Sequence, residues 1–325
     1  MDNKKNILIT GASGFIGHAL VKKLIQKNVN LFLVARNKKF TLTPKFLAPG
    51  FRCPKAKVFY GDLGNFQFCK KILKNINTVY YLAGYKKNIA WHVKYPYEFL
   101  EGNLQPLLVF LKALKKSKVK QLIYLSSTHV NYIKLDEQKL DGYTLGKYAN
   151  ELAIKSFAKE YNIDVKIIRT TAVYGPCDDF NPETANFIPA MIDRIYKSHK
   201  ELIVWGKGIR KVELIYVDDL ADNLIAAAKN KKLKSATVGN SRAISVDNIV
   251  KKIIKLMHKD LSIKYDPAKP DKPTKVEKFN NFVKSKISLD QGFKTTIDYY
   301  ITHITHITQK TPCHPEFRCN GVESE

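Results

Sequence analysis

Short apolar runs alternate along the first half of the chain with longer stretches in which apolar residues recur every three to four positions. The runs predict β-strands, and the periodic stretches predict amphipathic helices. The strands are predicted at 6–10, 30–36, 56–60, 77–83, 119–125 and 163–169, and the helices at 15–28, 66–75, 96–116 and 143–161. Because the strands are hydrophobic throughout and alternate with helices, the pattern indicates βαβ units around a parallel sheet that is covered on both faces.

The pattern changes after about residue 170, where the loop "YGPCDDFNPETANFIP" is rich in Pro, Asn and Asp. Further helices are predicted at 186–199, 218–229 and 245–258, with short strands between them. We therefore predict an α/β fold with a doubly wound parallel Rossmann-type domain and a smaller C-terminal substrate lobe. The domain spans 1–170, with some later elements returning to it, and the lobe spans 171–298. Residues 299–325 lack core periodicity and are predicted to form a poorly ordered tail.

The chain has 325 residues and a formal net charge of +26. Most of this charge is lysine scattered over predicted helical faces, as in "LKALKKSK", and not gathered in one stripe. Nucleic-acid binding would be one use of such a charge, but no nucleic-acid motif accompanies it, so a solvated surface is the favoured interpretation. A basic surface also attracts phosphorylated small molecules.

Further features of the sequence favour a protein of the cytoplasm. No apolar run has the length of a membrane span, and the N-terminus lacks the layout of a signal peptide. The 5 cysteines form no CxxC pair, which is typical of a reduced chain. The histidines and cysteines of the tail fit no common zinc spacing, so we expect no metal.

The segment "ITGASGFIG" places three glycines, Gly11, Gly14 and Gly17, between the first strand and the first helix. Glycine permits a tight turn and a close approach of the backbone to a pyrophosphate, and the helix N-terminus then offers N–H groups to the anion. A glycine triplet alone is weak evidence for a nucleotide site, because tight packing of the helix would also explain it. Its position between a strand and a helix is the context that favours a dinucleotide site.

Arg36 ends the second strand, where folds that prefer NAD usually place an acid. An arginine there suits the 2′-phosphate of NADP, although NAD stays an alternative and the basic run that continues to Lys38 and Lys39 is also explained as a surface cluster. Asp62 follows the third strand, toward the adenine, and small residues end the fourth strand, beside the nicotinamide. The predicted cofactor contacts are Gly11, Ser13, Gly14, Phe15, Ile16, Gly17, Arg36, Asp62, Leu63, Ala83, Gly84 and Lys147.

In "YTLGK", Tyr143 and Lys147 lie four residues apart and therefore on one face of a helix. A lysine ammonium near a phenol favours the phenolate and lets tyrosine transfer a proton at neutral pH. The strand end "LSSTH" supplies Ser127 as a hydroxyl for the substrate oxygen. His129 is either an acid/base group of the site or a polar side chain that only lines it.

With the glycine motif, the serine-bearing strand end and YxxxK, residues 5–260 resemble the extended short-chain dehydrogenase/reductase family, and most of all its GDP-L-fucose synthase branch. Three further stretches carry that resemblance: "NIAWHVKYPYEFLEGN", "VYGPCDDFNPETANFIPAMIDR" and "VWGKGIRKVELIYVDDLA". The resemblance implies Ser127, Tyr143 and Lys147 as catalytic residues. It also implies substrate contacts at Arg194 and Trp205, and a homodimer built on the helices at 96–116 and 143–161.

The chain departs from this branch at the residues that epimerise the sugar. The branch uses a cysteine and a histidine, and those positions are His129 and Asn186 here. An asparagine amide is not an ordinary acid or base, so the resemblance implies Asn186 as a substrate contact only. The arginine of the branch's "REF" segment is Val212 here.

The sequence therefore predicts an NADP-dependent reductase, with or without epimerase activity, of a nucleotide-diphosphate 4-keto-sugar. A nucleotide-sugar 4-epimerase or another keto-reductase of the same family is the alternative enzyme. A non-catalytic dinucleotide-binding scaffold is the alternative from another class, and the set Ser127, Tyr143 and Lys147 argues against it.

Overall fold

The computed structural model describes residues 4–36, 56–86, 89–133, 141–181, 184–240, 243–268, 279 and 281–305. Its main element is a sheet of 7 parallel strands in the order β10-β6-β5-β4-β1-β2-β3. The strands are β1 (Lys5–Thr10), β2 (Val29–Ala35), β3 (Ala56–Tyr60), β4 (Thr78–Tyr81), β5 (Gln121–Ser127), β6 (Asp164–Thr170) and β10 (Ser235–Val238). The predicted doubly wound Rossmann-type sheet is confirmed, and the strands at 56–60 and 163–169 lie within one residue of their predicted places.

Helices cover both faces of this sheet. On this domain they are α1 (Phe15–Leu24), α2 (Phe66–Ile72), α3 (Ile89–Lys94), α4 (Pro96–Leu114), α5 (Gly142–Tyr161) and α7 (Val217–Lys229). One apolar core lies between the sheet and α1 with α7, and a second lies between the sheet and α2, α4 and α5. The first helix ends at Leu24, four residues earlier than predicted, because the chain turns there into β2.

Local sequence explains where several helices begin. Asn65, Asp141 and Ser245 each precede a helix, and each side chain accepts a hydrogen bond from a backbone N–H in the first turn. Asn, Asp and Ser are favoured at this position because they satisfy N–H groups that lack a partner within the helix. Asp141 bonds the N–H of Thr144 at 2.8 Å and thereby sets the start of α5 one residue before Tyr143.

The second lobe contains a third apolar core and two small sheets. Its helices are α6 (Phe187–Lys197), α8 (Val246–Leu256) and α9 (Leu289–Tyr299). The sheets join β11 (Ala243–Ser245), β9 (Lys211–Tyr216) and β7 (Ala172–Tyr174), and β12 (Ser262–Asp266) with β8 (Glu201–Trp205). Strand β10 and helix α7 return to the first domain, since β10 pairs with β6.

Helical structure continues for a few residues past 299, about where the tail is predicted to begin. Tyr299 ends α9, and residues 300–305 continue as a π-helical turn. Tyr300 is buried, and its hydroxyl donates to Asp193 at 2.7 Å. This contact spans more than a hundred residues of sequence, so local composition did not indicate it. Residues 306–325 lie outside the described residues.

Helices α4 and α5 pack closely where the sequence supplies glycine. A Cβ atom on Gly142 would lie 2.6 Å from both Cα and the carbonyl oxygen of Pro96, and 2.8 Å from Cβ of Phe99. These distances are too short for an unstrained contact, so the two helices can meet here only while residue 142 has no side chain. The contact places Tyr143 against α4. Within the described ranges, no helix is both long and apolar enough to cross a bilayer.

We predict that Gly142→Ala lowers the free energy of unfolding by about 1–3 kcal/mol, because the added methyl group forces α4 and α5 apart. Urea denaturation monitored by circular dichroism measures the change. Ser156→Ala is the matched control, since Ser156 is exposed on the same helix. An unchanged midpoint for Gly142→Ala would contradict the close packing described here.

Candidate active site

The glycine turn joins the carboxyl ends of β1 and β4. Gly11 has φ +67°, and a Cβ atom there would lie 3.0 Å from the backbone nitrogen of Ala83. The hydroxyl oxygen of Thr10 accepts hydrogen bonds from the N–H groups of Leu82 and Ala83, both at 3.2 Å. The turn therefore lies directly against the backbone that follows β4, and a left-handed residue without a side chain is required at Gly11.

The same turn leaves the N-terminus of helix α1 available to bind an anion. A Cβ atom on Gly17 would lie 2.1 Å from the carbonyl oxygen of Gly11, so glycine lets the helix close onto the turn. The N-cap, Gly14, has an extended backbone and no side chain to cap the helix, and the first turn of α1 holds no acidic residue. Backbone N–H groups and the positive end of the helix dipole therefore face the turn. This cradle fits the pyrophosphate of a dinucleotide.

The other predicted cofactor residues lie around this cradle with different exposures. Arg36 follows β2 and is exposed, and Lys38 and Lys39 lie outside the described residues. The carboxylate of Asp62 accepts the N–H of Gly64 at 2.8 Å, which fixes the turn after β3. The side chain of Leu63 is buried in the second core, so any contact it makes with a cofactor is through its backbone.

Ser127, Tyr143 and Lys147 come together at the carboxyl end of β5. Ser127 is the last residue of β5 and is buried, and its side chain is hydrogen-bonded to the phenol of Tyr143. Burial raises the pKa of Tyr143 and Asp141 adds to the rise, while the bond to Ser127 opposes it. The predicted hydroxyl pair is thus in direct contact, and this is the arrangement needed to hold and protonate a carbonyl oxygen.

Lys147 lies one helical turn after Tyr143 on α5 and is buried. Its ammonium donates to the carbonyl oxygen of Leu125 at 3.0 Å and lies 5.2 Å from the ring centroid of Tyr124. Burial lowers the pKa of Lys147 to about 8, although Glu151, one turn further on, opposes this shift. The lysine is therefore a cation close to its titration point, beside the phenol that it is predicted to assist.

Asn103 is a buried residue of the site that the sequence argument missed. Its side-chain oxygen accepts the N–H of Tyr85 at 3.0 Å, and its amide group donates to the carbonyl oxygens of Tyr85 and Phe99. These bonds fix the chain after β4, where a Cβ atom on Gly84 would lie 3.6 Å from Nζ of Lys147. In the sequence this position is the asparagine of "LEGNLQP". An asparagine in a helical stretch does not by itself predict a buried residue of a site.

Two histidines contact the ring of Tyr143. The ring centroid of His129 lies 6.0 Å from that of Tyr143, edge to face at 86°. The ring of His92, in α3, is stacked on Tyr143 with centroids 5.1 Å apart and planes 13° apart. The structure thus brings the predicted residue His129 to the site. His92 escaped sequence analysis because its partner lies 51 positions away, beyond any helical or strand period.

The residues predicted to contact the substrate lie on the second lobe. Asn186 is the N-cap of α6 and forms no capping bond through its side chain. Arg194 lies on the same helix and donates to the carbonyl oxygen of Ile203, two residues before Trp205 on β8. Trp205 is 59% exposed. Arg194 and Trp205 therefore share one edge of the lobe, with a large aromatic face open to solvent.

Buried polar atoms without a partner lie at the end of β6 and in the loop that precedes α6. Among the described residues they include the hydroxyl oxygens of Thr170 and Thr171, at the end of β6, and one carboxylate oxygen of Asp178. Thr170 is the direct neighbour of Ser127 in the sheet. Burial raises the pKa of Asp178 to about 6, and Lys86 opposes the rise. Unpartnered polar atoms are costly unless a ligand meets them, so this edge fits a polar ligand.

The described residues contain no group of three or more His, Cys, Asp or Glu side chains that could hold a metal ion. The histidines and cysteines of the tail beyond residue 305 lie outside the described residues.

Known proteins are similar to this chain over nearly its whole length. GDP-L-fucose synthase 1 of Arabidopsis thaliana is 22% identical over 93% of this chain and 95% of its own length. A putative UDP-glucose 4-epimerase of Methanocaldococcus jannaschii is 27% identical over 90% of this chain and 94% of its own. The solved UDP-N-acetylglucosamine 4-epimerase of Methanobrevibacter ruminantium M1, in complex with UDP-N-acetylmuramic acid, superposes with a TM-score of 0.80 at 23% identity, covering 92% of this chain and 98% of that one.

The family comparison agrees with the geometry of the glycine turn and of the tyrosine–lysine pair. A family model matches residues 7–239, which hold the cradle at the start of α1, the Ser127–Tyr143–Lys147 set and the strand β10 that completes the main sheet. These residues make up more than half of the chain. The chain thus belongs to the NAD dependent epimerase/dehydratase family.

Proposed function

We propose that the protein is an NADP-dependent reductase of a nucleotide-diphosphate 4-keto-sugar, similar to GDP-L-fucose synthase. The observation that carries the proposal is the hydrogen-bonded pair of Ser127 and Tyr143, with the buried ammonium of Lys147 one helical turn further along α5. The likeness to the Arabidopsis synthase over almost the full length of both chains supports the substrate class.

The cofactor, when bound, supplies a hydride, and the protein's own residues handle the oxygen and the proton. Ser127 donates a hydrogen bond to the sugar carbonyl oxygen and polarises the bond. As the carbonyl carbon accepts the hydride, Tyr143 passes its phenolic proton to the oxygen, and the ketone becomes an alcohol. The ammonium of Lys147 stabilises the resulting phenolate until solvent restores its proton.

The nucleotide end of the substrate is assigned to the edge that holds Arg194 and Trp205. The exposed indole of Trp205 offers a flat surface for a base, and the guanidinium of Arg194 supplies positive charge beside it. Epimerisation at two sugar carbons requires acid/base groups. His129 supplies one such group, while the amide of Asn186 supplies none, so the proposed activity is reduction first.

A 4-epimerase is the second candidate, and the likeness to the putative epimerase of M. jannaschii favours it. An epimerase regenerates its cofactor in each cycle and keeps it bound, whereas a reductase releases it. The proportion of protein that retains dinucleotide through purification therefore separates the two activities.

We also propose a homodimer formed through α4 and α5. Both helices carry large apolar side chains on the outside of the molecule: Tyr97 is 69% exposed, Leu108 49% and Leu152 46%. Helices α4 and α5 pack against each other, so a second copy of the pair would complete a four-helix bundle and cover these side chains.

The first test uses purified protein, NADPH and GDP-4-keto-6-deoxymannose in deuterated water. We expect consumption of NADPH, and we expect Tyr143→Phe to lower kcat by about 100-fold to 10,000-fold, because the proton donor is removed. Tyr148→Phe on the same helix is the matched control. Deuterium at C3 and C5 of the product, read by NMR, would show that epimerisation accompanies reduction. No consumption of NADPH would reject this substrate, and UDP- and dTDP-sugars would then be tested.

The choice of cofactor is tested at Arg36. We expect Arg36→Ala to raise the KM for NADPH about tenfold to 100-fold and to leave the KM for NADH nearly unchanged, because a charge-assisted bond to the 2′-phosphate is lost. Lys70→Ala, which removes an exposed charge on α2, is the control. A wild-type protein that uses NADH as efficiently as NADPH would contradict the proposal.

The dimer is tested with the double variant Leu108→Asp and Leu152→Asp. We expect the wild type to sediment as a dimer, and the variant as a monomer, since two charges would be buried in an apolar interface. Ile209→Asp is the matched control, because Ile209 is 72% exposed on the second lobe. A wild type that sediments as a monomer at micromolar concentration would end this proposal.

A further inference from the structure

His92 lies between two aromatic rings of the active site. Its ring is stacked on Tyr143, with centroids 5.1 Å apart, and it meets Phe99 edge to face with centroids 4.5 Å apart. Tyr143 belongs to α5 and Phe99 to α4, while His92 belongs to α3. Three helices thus fix the imidazole plane parallel to the phenol plane, and His92 is itself half-buried.

The proposed reaction changes the charge of the ring that His92 covers. When Tyr143 gives up its proton, negative charge develops on its oxygen and spreads into the ring. A neutral imidazole at stacking distance contributes dispersion and holds the ring in place. A protonated imidazole adds electrostatic attraction to the electron-rich ring, and this attraction grows as the phenolate forms.

We propose that His92 is a positioning residue for Tyr143, whose imidazole fixes the plane of the phenol and, when protonated, stabilises the phenolate formed during proton transfer. The proposal rests on the proposed role of Tyr143 as proton donor. Histidine suits this role because its charge changes near neutral pH. Turnover is then linked to pH through a ring that is stacked on the phenol of Tyr143.

The other titratable groups that face Tyr143 act in distinct ways. Asp141, at the start of α5, opposes the phenolate and so raises the pKa of Tyr143. Lys147 lies on the same helix and titrates near 8, above the range of histidine. His129 lies edge-on at 6.0 Å and, like His92, carries an imidazole.

Two charged residues of the described chain lie close to His92 in sequence. Lys94 follows it on α3, and Glu98 lies in the first turn of α4. Both side chains are exposed, so solvent screens their effect on the imidazole. The described contacts of His92 on α5 are with Tyr143. An effect of pH on Tyr143 therefore has to be assigned either to His92 or to His129.

The test observes Tyr143 directly and needs no substrate. Protein labelled with ¹³Cζ-tyrosine is titrated from pH 5 to pH 8, and the Tyr143 resonance is assigned by its loss in Tyr143→Phe. We expect this resonance to show an inflection that follows the charge of His92. The inflection should be lost in His92→Phe, which keeps an aromatic ring but cannot titrate, and should persist in His129→Phe.

A resonance without an inflection, or an inflection that persists in His92→Phe, would overturn the proposal. His92→Asn is the second variant, should the phenylalanine variant fold poorly, and thermal melting checks both. Loss of the inflection in His129→Phe instead would assign the coupling to His129 and would also overturn it.

Kinetics adds a readout that a purely structural role would not change. For the keto-sugar reduction we expect kcat to rise about twofold to fivefold as the pH falls through the titration of His92, with KM unchanged, and to show no such rise in His92→Phe. If no keto-sugar is reduced while the NMR inflection depends on His92, then the proposed function fails and the coupling of His92 to Tyr143 stands.

Discussion

A buried ammonium constrains the catalytic end of this molecule. Lys147 lies inside the protein, with its charge held by one backbone carbonyl, that of Leu125, and by the face of Tyr124. Water would solvate this charge better, so the fold must supply compensating groups. Glu151 does so from one turn away, and it is in turn held by Ser126 and Arg169. The strands β5 and β6 and the helix α5 are thus tied to one another by charge at the edge where Ser127 and Tyr143 meet.

Backbone segments approach each other closely at this edge because three of its residues are glycines without side chains. Gly11 lies against Ala83, Gly17 against the turn, and Gly142 against Pro96. Each contact brings one backbone within reach of another, and together they set the cradle of α1 and the hydroxyl pair on a common scaffold. Chemistry and cofactor binding therefore depend on packing that tolerates no added methyl group at these positions.

Much of the fold was predictable because its signals are local. The strands are short apolar runs, so they could be predicted from neighbouring residues. The cradle could be predicted in the same way, because Gly11, Gly14 and Gly17 lie between a strand and a helix. The pair Tyr143 and Lys147 follows from the helical period alone. The contacts of His92 and Tyr300 are long-range, and no local pattern encodes them. Leu63 shows a further limit, since sequence placed it near the cofactor without indicating that its side chain points into the core.

Asp178 makes the stability of the fold depend on pH. Its carboxyl is buried in the loop that precedes α6, and its pKa lies near 6 instead of the usual value near 4. Because the folded chain binds this proton more tightly than the unfolded chain does, the contribution of Asp178 to stability is greatest below the unfolded pKa and is lost as the pH rises through 6. A ligand that donates a hydrogen bond to the unpartnered oxygen would replace the proton. Such a ligand would offset, at neutral pH, the cost of burying this carboxylate.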